Sequence, residues 1–177
     1  LVVAHDETID RVADGSGLIS EMTLAELKRY SFGKAWPLYK DARIPTLREV
    51  YELIAPTALA VNCELKNSYI DYPGLEKAAI DLAARMGLSD RLMYSSFNHH
   101  SLVRIKRMDK SIRCGMLYEA TLIEPWQYAA RHGMDALHPH FSELLVEGEA
   151  DRAHALGLEV NVWTPNTEPF IRFALER

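Results

Sequence analysis

Two alternating rhythms run along this chain. From residue 58 onward, short apolar runs alternate with longer stretches whose apolar residues fall at helical spacing. "ALAVNCELK" (58–66) predicts a strand, and "PGLEKAAIDLAARMG" (73–87) a helix with Pro at its start and Gly at its end. "RLMYSSF" (91–97) predicts a strand, after which Asn98 caps the helix "HHSLVRIKRMD". Strands at 112–118, 135–141 and 158–164 follow. Helices at 124–132 and 147–156 are closed by Gly133 and Gly157, and a last helix runs from about 168. The first part of the chain reads as a strand at 1–5, a loop, and helices at 24–30 and 47–54. Each helix there is announced by a capping box, Thr23 with Glu26 and Thr46 with Glu49. The loop between them, "SFGKAWPLYKDARIP", is rich in aromatics, and ordinary loop packing is expected for Trp36 and Tyr39, with a lid contact as the alternative.

Strand and helix recurring every 20 to 30 residues (roughly) signal right-handed βαβ units and a parallel sheet; at least five such units are visible. A doubly wound sheet usually carries a Gly-rich phosphate loop after its first strand, and none appears. The expected fold is therefore α/β, a TIM-type β/α barrel. A complete barrel has about eight strands and about 250 residues. With six or seven strands in 177 residues, the sequence predicts one barrel domain over 1–177, incomplete at both ends.

Composition narrows the partners. With 48% hydrophobic and 25% charged residues, the chain has the makeup of a globular domain. A formal net charge of −5 argues against a bulk electrostatic grip on nucleic acid, while one or two local cations suffice for a small anion. No apolar run is long enough for a transmembrane segment. Cys63 and Cys114 sit in apolar runs and predict buried free thiols.

The candidate chemistry lies in "VNCELK". Strand side chains alternate, so Asn62, Glu64 and Lys66 share one face. In a parallel strand covered on both sides, a Glu and a Lys must pair or bind something. A Glu64–Lys66 salt bridge is one reading and a ligand site the other. Strand ends at a barrel mouth add Ser95, Ser96, Tyr118, His138, His140, Trp163 and Thr164. A carboxylate, a cation, imidazoles and an aromatic wall suit an anionic oxygen substrate with a hard metal ion.

Six segments in order resemble the glycerophosphodiester phosphodiesterases: "HDETIDRVADGSGLISEMTLAELK", "RIPTLREV", "VNCELK", "SSFNHHSL", "IRCGMLY" and "VNVWT". The resemblance implies a barrel that hydrolyses small-molecule glycerophosphodiesters to glycerol 3-phosphate and an alcohol, with a divalent cation, Ca²⁺ or Mg²⁺, as cofactor. It implies His5 of His5-Asp6 as a catalytic imidazole, the acid that protonates the leaving group. Glu64 corresponds to a metal ligand, Lys66 to a catalytic and phosphate-contacting cation, and Trp163 to the wall on the substrate's alcohol side; Asn62 joins the substrate-binding set. The family's chemistry runs through attack by the glycerol 2-hydroxyl and a cyclic phosphate. Its His-Arg-Gly and Glu-x-Asp strands precede the His-Asp loop and have no counterpart in these residues, nor does its last strand. A polypeptide limited to 1–177 is accordingly expected to be inactive and to expose sheet edges. The alternatives are a non-catalytic barrel that binds a phosphate ester, or a related phosphodiesterase acting on lysophospholipids.

The remaining marked residues predict less. His99 and His100 read as a solvated helix start, and His132 and His154 as cations near helix C-termini. His138 and His140 share a strand face, where pocket lining and core hydrogen bonding both fit. "KRMDKSIR" reads as a solvated charge run.

Overall fold

The computed structural model describes all 177 residues, Leu1–Arg177. Its main elements are α1 (Leu24–Leu27), α2 (Leu47–Ile54), β1 (Val61–Glu64), α3 (Leu75–Arg85), β2 (Leu92–Ser96), α4 (His99–Met108), β3 (Arg113–Tyr118), α5 (Pro125–Arg131), β4 (Ala136–Pro139), α6 (Glu149–Ala155), β5 (Glu159–Val160) and α7 (Glu168–Leu175). Contacts divide the chain into two compact units, Leu1–Leu59 with Tyr69–Asp90 and Ala60–Ser68 with Arg91–Arg177.

In the second unit, β1 to β5 form one parallel sheet whose spatial order is the chain order. Each crossover steps to the next strand in the same direction. That is the topology of a barrel wall; a doubly wound sheet reverses. β2 and β4 are buried at every position, which explains why neither sequence alternates apolar with polar residues. α4 packs on β2 and β3, and its Leu102 and Ile105, three apart, are fully buried. α5 lies on β4, and α6 on β5.

The charge run before β3 is only partly solvated, contrary to expectation. Lys106 turns inward and its Nζ donates to Asp135 Oδ2 at 2.6 Å, an oxygen that also accepts from the Cys114 N–H at 2.7 Å. A buried cation is stable only when paired in this way. Of the two thiols, Cys114 is buried, and burial pushes it up to about 12; Cys63 is half-buried, and neither forms a disulfide.

In the first unit, Ile9, Ala13, Leu27 and Ile44 make a small core, flanked by Val2, Ala4, Ile19, Met22, Tyr30 and Phe32. Both capping boxes form, each with the threonine hydroxyl accepting from the glutamate N–H and the glutamate side chain answering the threonine N–H. Such a cap contributes about 1 kcal/mol. Lys28 Nζ also reaches Glu49 at 2.7 Å, which ties α1 to α2 and, with Thr46, holds the Glu49 carboxyl down at about 2.

Four further expectations need correction. Residues 1–5 form no strand: Val2 makes one isolated antiparallel bridge to Thr46, and Val3 N donates to Pro45 O at 2.8 Å. The first helix stops at Leu27. Asn98 occupies the N-cap position of α4 without capping it, because its side-chain amide donates to Asn67 O instead. Trp36 and Tyr39, expected to pack within their loop, are largely exposed. β5 is short, but Asn161 N→Leu137 O and Trp163 N→Pro139 O carry its pairing on to a His140–Trp163 bridge.

Candidate active site

Which way the β1 side chains point is settled by their partners. Asn67, 3% exposed, donates from Nδ2 to Ser101 Oγ of α4 at 2.6 Å, and Leu65 on the same parity is buried too. Asn62, Glu64 and Lys66 therefore occupy the opposite face, as their spacing predicts. Lys66 Nζ lies 3.1 Å from Glu64 Oε1. That oxygen is buried and yet accepts no hydrogen bond with acceptable geometry. The contact is thus one of charge alone, and the carboxylate keeps unused acceptor capacity. Asn62 is exposed on the same face.

The register carries this face across the sheet. Glu64 pairs with Ser95, Ser95 with Gly115, Gly115 with Ala136 and Ala136 with Glu159. Ser95 is fully buried, and its Oγ has no hydrogen-bond partner. The imidazole of His138 lies over Gly115: a methyl group at Gly115 would fall 2.2 Å from His138 Nε2. Asn161 Nδ2 lies 3.3 Å from that nitrogen. Burial, eased slightly by Glu159, pushes His138 down to about 4.

An aromatic wall stands at the end of the same face. Trp163 Nε1 donates to the His138 carbonyl at 2.9 Å. Its ring meets Phe97 edge-on at 5.5 Å and His140 at 4.9 Å. His140 Nδ1 is held by Ser142 Oγ at 2.8 Å. Both strand histidines thus line this face, His138 buried and His140 against the indole.

Other residues expected at the strand ends face elsewhere. Tyr118 points to the helical side, where its hydroxyl donates to Glu149 Oε1 of α6 at 2.7 Å; burial first, then Glu149, raises the phenol far above its ordinary value. Ser96 also faces away, with Oγ donating to Leu65 O at 2.8 Å and accepting from Asn98 N at 3.0 Å. His99 is no solvated helix start: it is half-buried, its Nε2 lies 2.8 Å from Leu117 O, and burial lowers its pKa.

His5 belongs to the first unit. Its Nδ1 lies 2.6 Å from Asp6 Oδ1, and Arg11 grips the same carboxylate from Nε at 2.6 Å and NH2 at 2.8 Å. Arg11 first, then His5, holds the Asp6 carboxyl well below the usual carboxylate range. The carboxylate, held from the other side by Arg11, fixes the orientation of the imidazole. The sequence reading missed Arg11, Gly115 and Asn161. A glycine inside a strand marks a close approach, so Gly115 carried a signal that could have been read. Arg11 and Asn161 carried none.

No three acidic, histidine or cysteine side chains converge here to hold a metal by themselves. Glu64 nevertheless fits as one hard ligand, because its buried Oε1 is an oxygen that accepts no hydrogen bond.

Three comparisons with known proteins agree. The sequence profile of the glycerophosphoryl diester phosphodiesterase family matches residues 1–177. The chain is 40% identical over 148 residues to the glycerophosphodiester phosphodiesterase of Caldanaerobacter subterraneus subsp. tengcongensis, covering 83% of this chain and 61% of that protein. It is 30% identical over 177 residues to the Bacillus altitudinis glycerophosphodiester phosphodiesterase, covering 97% of this chain and 71% of that one. Among solved structures, it resembles an Oleispira antarctica phosphodiesterase in complex with sn-glycerol-3-phosphate. There the TM-score is 0.84 at 31% identity, covering 99% of this chain and 70% of that one. An Agrobacterium tumefaciens glycerophosphodiester phosphodiesterase shares the fold, with TM-score 0.79 at 22% identity, covering 99% and 73% of the two chains. The sheet is thus part of a TIM-type barrel.

Proposed function

Because this chain belongs to the glycerophosphoryl diester phosphodiesterase family, we propose that the protein hydrolyses glycerophosphodiesters to glycerol 3-phosphate and an alcohol, with a divalent cation. The observation that carries this reading is the Glu64–Lys66 pair: opposite charges at 3.1 Å whose buried carboxylate oxygen still accepts no hydrogen bond. Two charges so placed can separate toward opposite partners, the carboxylate to a cation and the ammonium to a phosphate oxygen.

Each residue then has a chemical task. Glu64 would hold the cation, which when bound polarises the phosphoryl oxygen and neutralises charge. Lys66 stabilises the charge that builds on phosphate in the transition state. His5 delivers a proton from Nε2 to the departing alkoxide, its ring held by Asp6. Trp163, with Phe97 and His140, supplies an apolar wall for the alcohol side of the substrate.

Glu64→Gln keeps the size and removes the charge. Calorimetric titration with Ca²⁺ or Mg²⁺ should show affinity reduced tenfold or more (roughly), since a hard cation prefers anionic oxygen. An unchanged cation affinity removes Glu64 from the site. His5→Ala should slow diesters with poor leaving groups most, because activated aryl diesters need little proton donation. Equal losses on both kinds of substrate would mean that His5 positions the substrate without donating a proton.

A further inference from the structure

Neighbouring serines on β2 have opposite fates. Ser96 faces α4 and is fully used: its hydroxyl donates to Leu65 O, and it accepts from Asn98 N. Ser95 is equally buried, at 0% exposure, and its hydroxyl meets no hydrogen-bond partner. A hydroxyl stranded in the interior is destabilising, and an alanine would fill the same place without that penalty. Ser95 is therefore not explained by folding.

Its surroundings on the sheet leave one direction for the hydroxyl. On one side its register partner is Gly115, which has no side chain, and the His138 ring beyond it is turned to Asn161. On the other side its register partner is Glu64. Side chains of register partners in a parallel pair project from the same face about 4.8 Å apart. Glu64 brings its own buried oxygen, Oε1, that accepts no hydrogen bond. An unused donor and an unused acceptor thus occupy adjacent register positions on the face that carries Lys66.

We propose that Ser95 is a positioning residue for Glu64, its O–H donating to the carboxylate once Glu64 turns from Lys66 to a cation. The inference rests on the reading of Glu64 as a cation ligand. A carboxylate that binds a cation through one oxygen keeps acceptor capacity on the other, and a donor there fixes its orientation and is worth about 10- to 100-fold in affinity. In the absence of the cation Glu64 stays with Lys66, and the Ser95 hydroxyl is left unused.

The consequence is a substitution with opposite effects on stability and binding. Ser95→Ala should raise the melting temperature of the cation-free protein by about 3 °C, because it removes an unsatisfied buried hydroxyl. The same variant should weaken Ca²⁺ or Mg²⁺ binding about tenfold or more, measured by calorimetry in the intact protein. Ser96→Ala, with satisfied bonds, should lower the melting temperature and leave cation affinity unchanged. If Ser95→Ala lowers the melting temperature as Ser96→Ala does, Ser95 is structural and the proposal fails. If Glu64→Gln weakens cation binding and Ser95→Ala does not, the proposal fails while Glu64 stands as a ligand. If Glu64→Gln has no effect on binding, the ligand reading itself fails and takes the proposal with it.

Discussion

Lys66→Met should lower turnover of a glycerophosphodiester about a hundredfold or more while the protein stays folded. In this structure Lys66 lies 3.1 Å from Glu64, both side chains about one-third exposed. A pair this accessible contributes only about 0–1 kcal/mol to stability. If pairing were the whole role of Lys66, its loss would cost little stability and no turnover. If the ammonium meets the transferring phosphoryl group, it acts where charge develops, and removing such a donor costs on the order of 3 kcal/mol of barrier. The two readings differ most in kcat, since charge building in the transition state is met more strongly than charge already present in the substrate. Steady-state kinetics with denaturation curves for the same preparation decide between them. Normal turnover per folded molecule would reduce Lys66 to the ion partner of Glu64.

Gly115→Ala should destabilise the protein by about 3 kcal/mol, at the upper end of the cost of overpacking a core. The added methyl group would meet His138 Nε2 at 2.2 Å, and His138, only 4% exposed, has no room to retreat. Its backbone is also engaged, since its carbonyl holds the Trp163 indole. Repulsion at Gly115 should therefore reach the aromatic wall, seen as a changed Trp163 fluorescence. Removing the obstacle should rescue the variant: Gly115→Ala with His138→Ala should be more stable than Gly115→Ala alone. His138 also gives stability a pH dependence. Its folded pKa of about 4 lies below the ordinary histidine value of 6.5. Between those values the unfolded chain binds more protons than the folded one. The neutral ring's contribution is complete above pH 6.5, and stability falls as pH drops toward 4. Urea denaturation across that window should show a flatter pH dependence in His138→Ala. An equal slope in both proteins would mean that other groups carry it.

By itself the sequence determined the strands and α-helices from residue 47 onward, and their order. Helix 47–54 matches α2 at both ends, because a capping box and a helical period are local signals within one or two turns. The βα alternation foretold a parallel sheet and, with no Gly-rich phosphate loop, a barrel. The spacing of Asn62, Glu64 and Lys66 placed them on one face, since strand periodicity does not depend on partners. Which face was the interior only the tertiary structure decided. In a sheet buried on both sides, apolar alternation disappears, so nothing local distinguishes Ser95 from Ser96 or turns Tyr118 toward Glu149. The same holds for the inward turn of Lys106 to Asp135, 29 residues away, and for the His138 ring over Gly115, whose contact runs between neighbouring strands. The stretch 1–5 has an extended-looking composition, but a strand needs a partner, and Val2 pairs only with Thr46. Local rules choose what each segment can be; long-range contacts choose which side of it faces the chemistry.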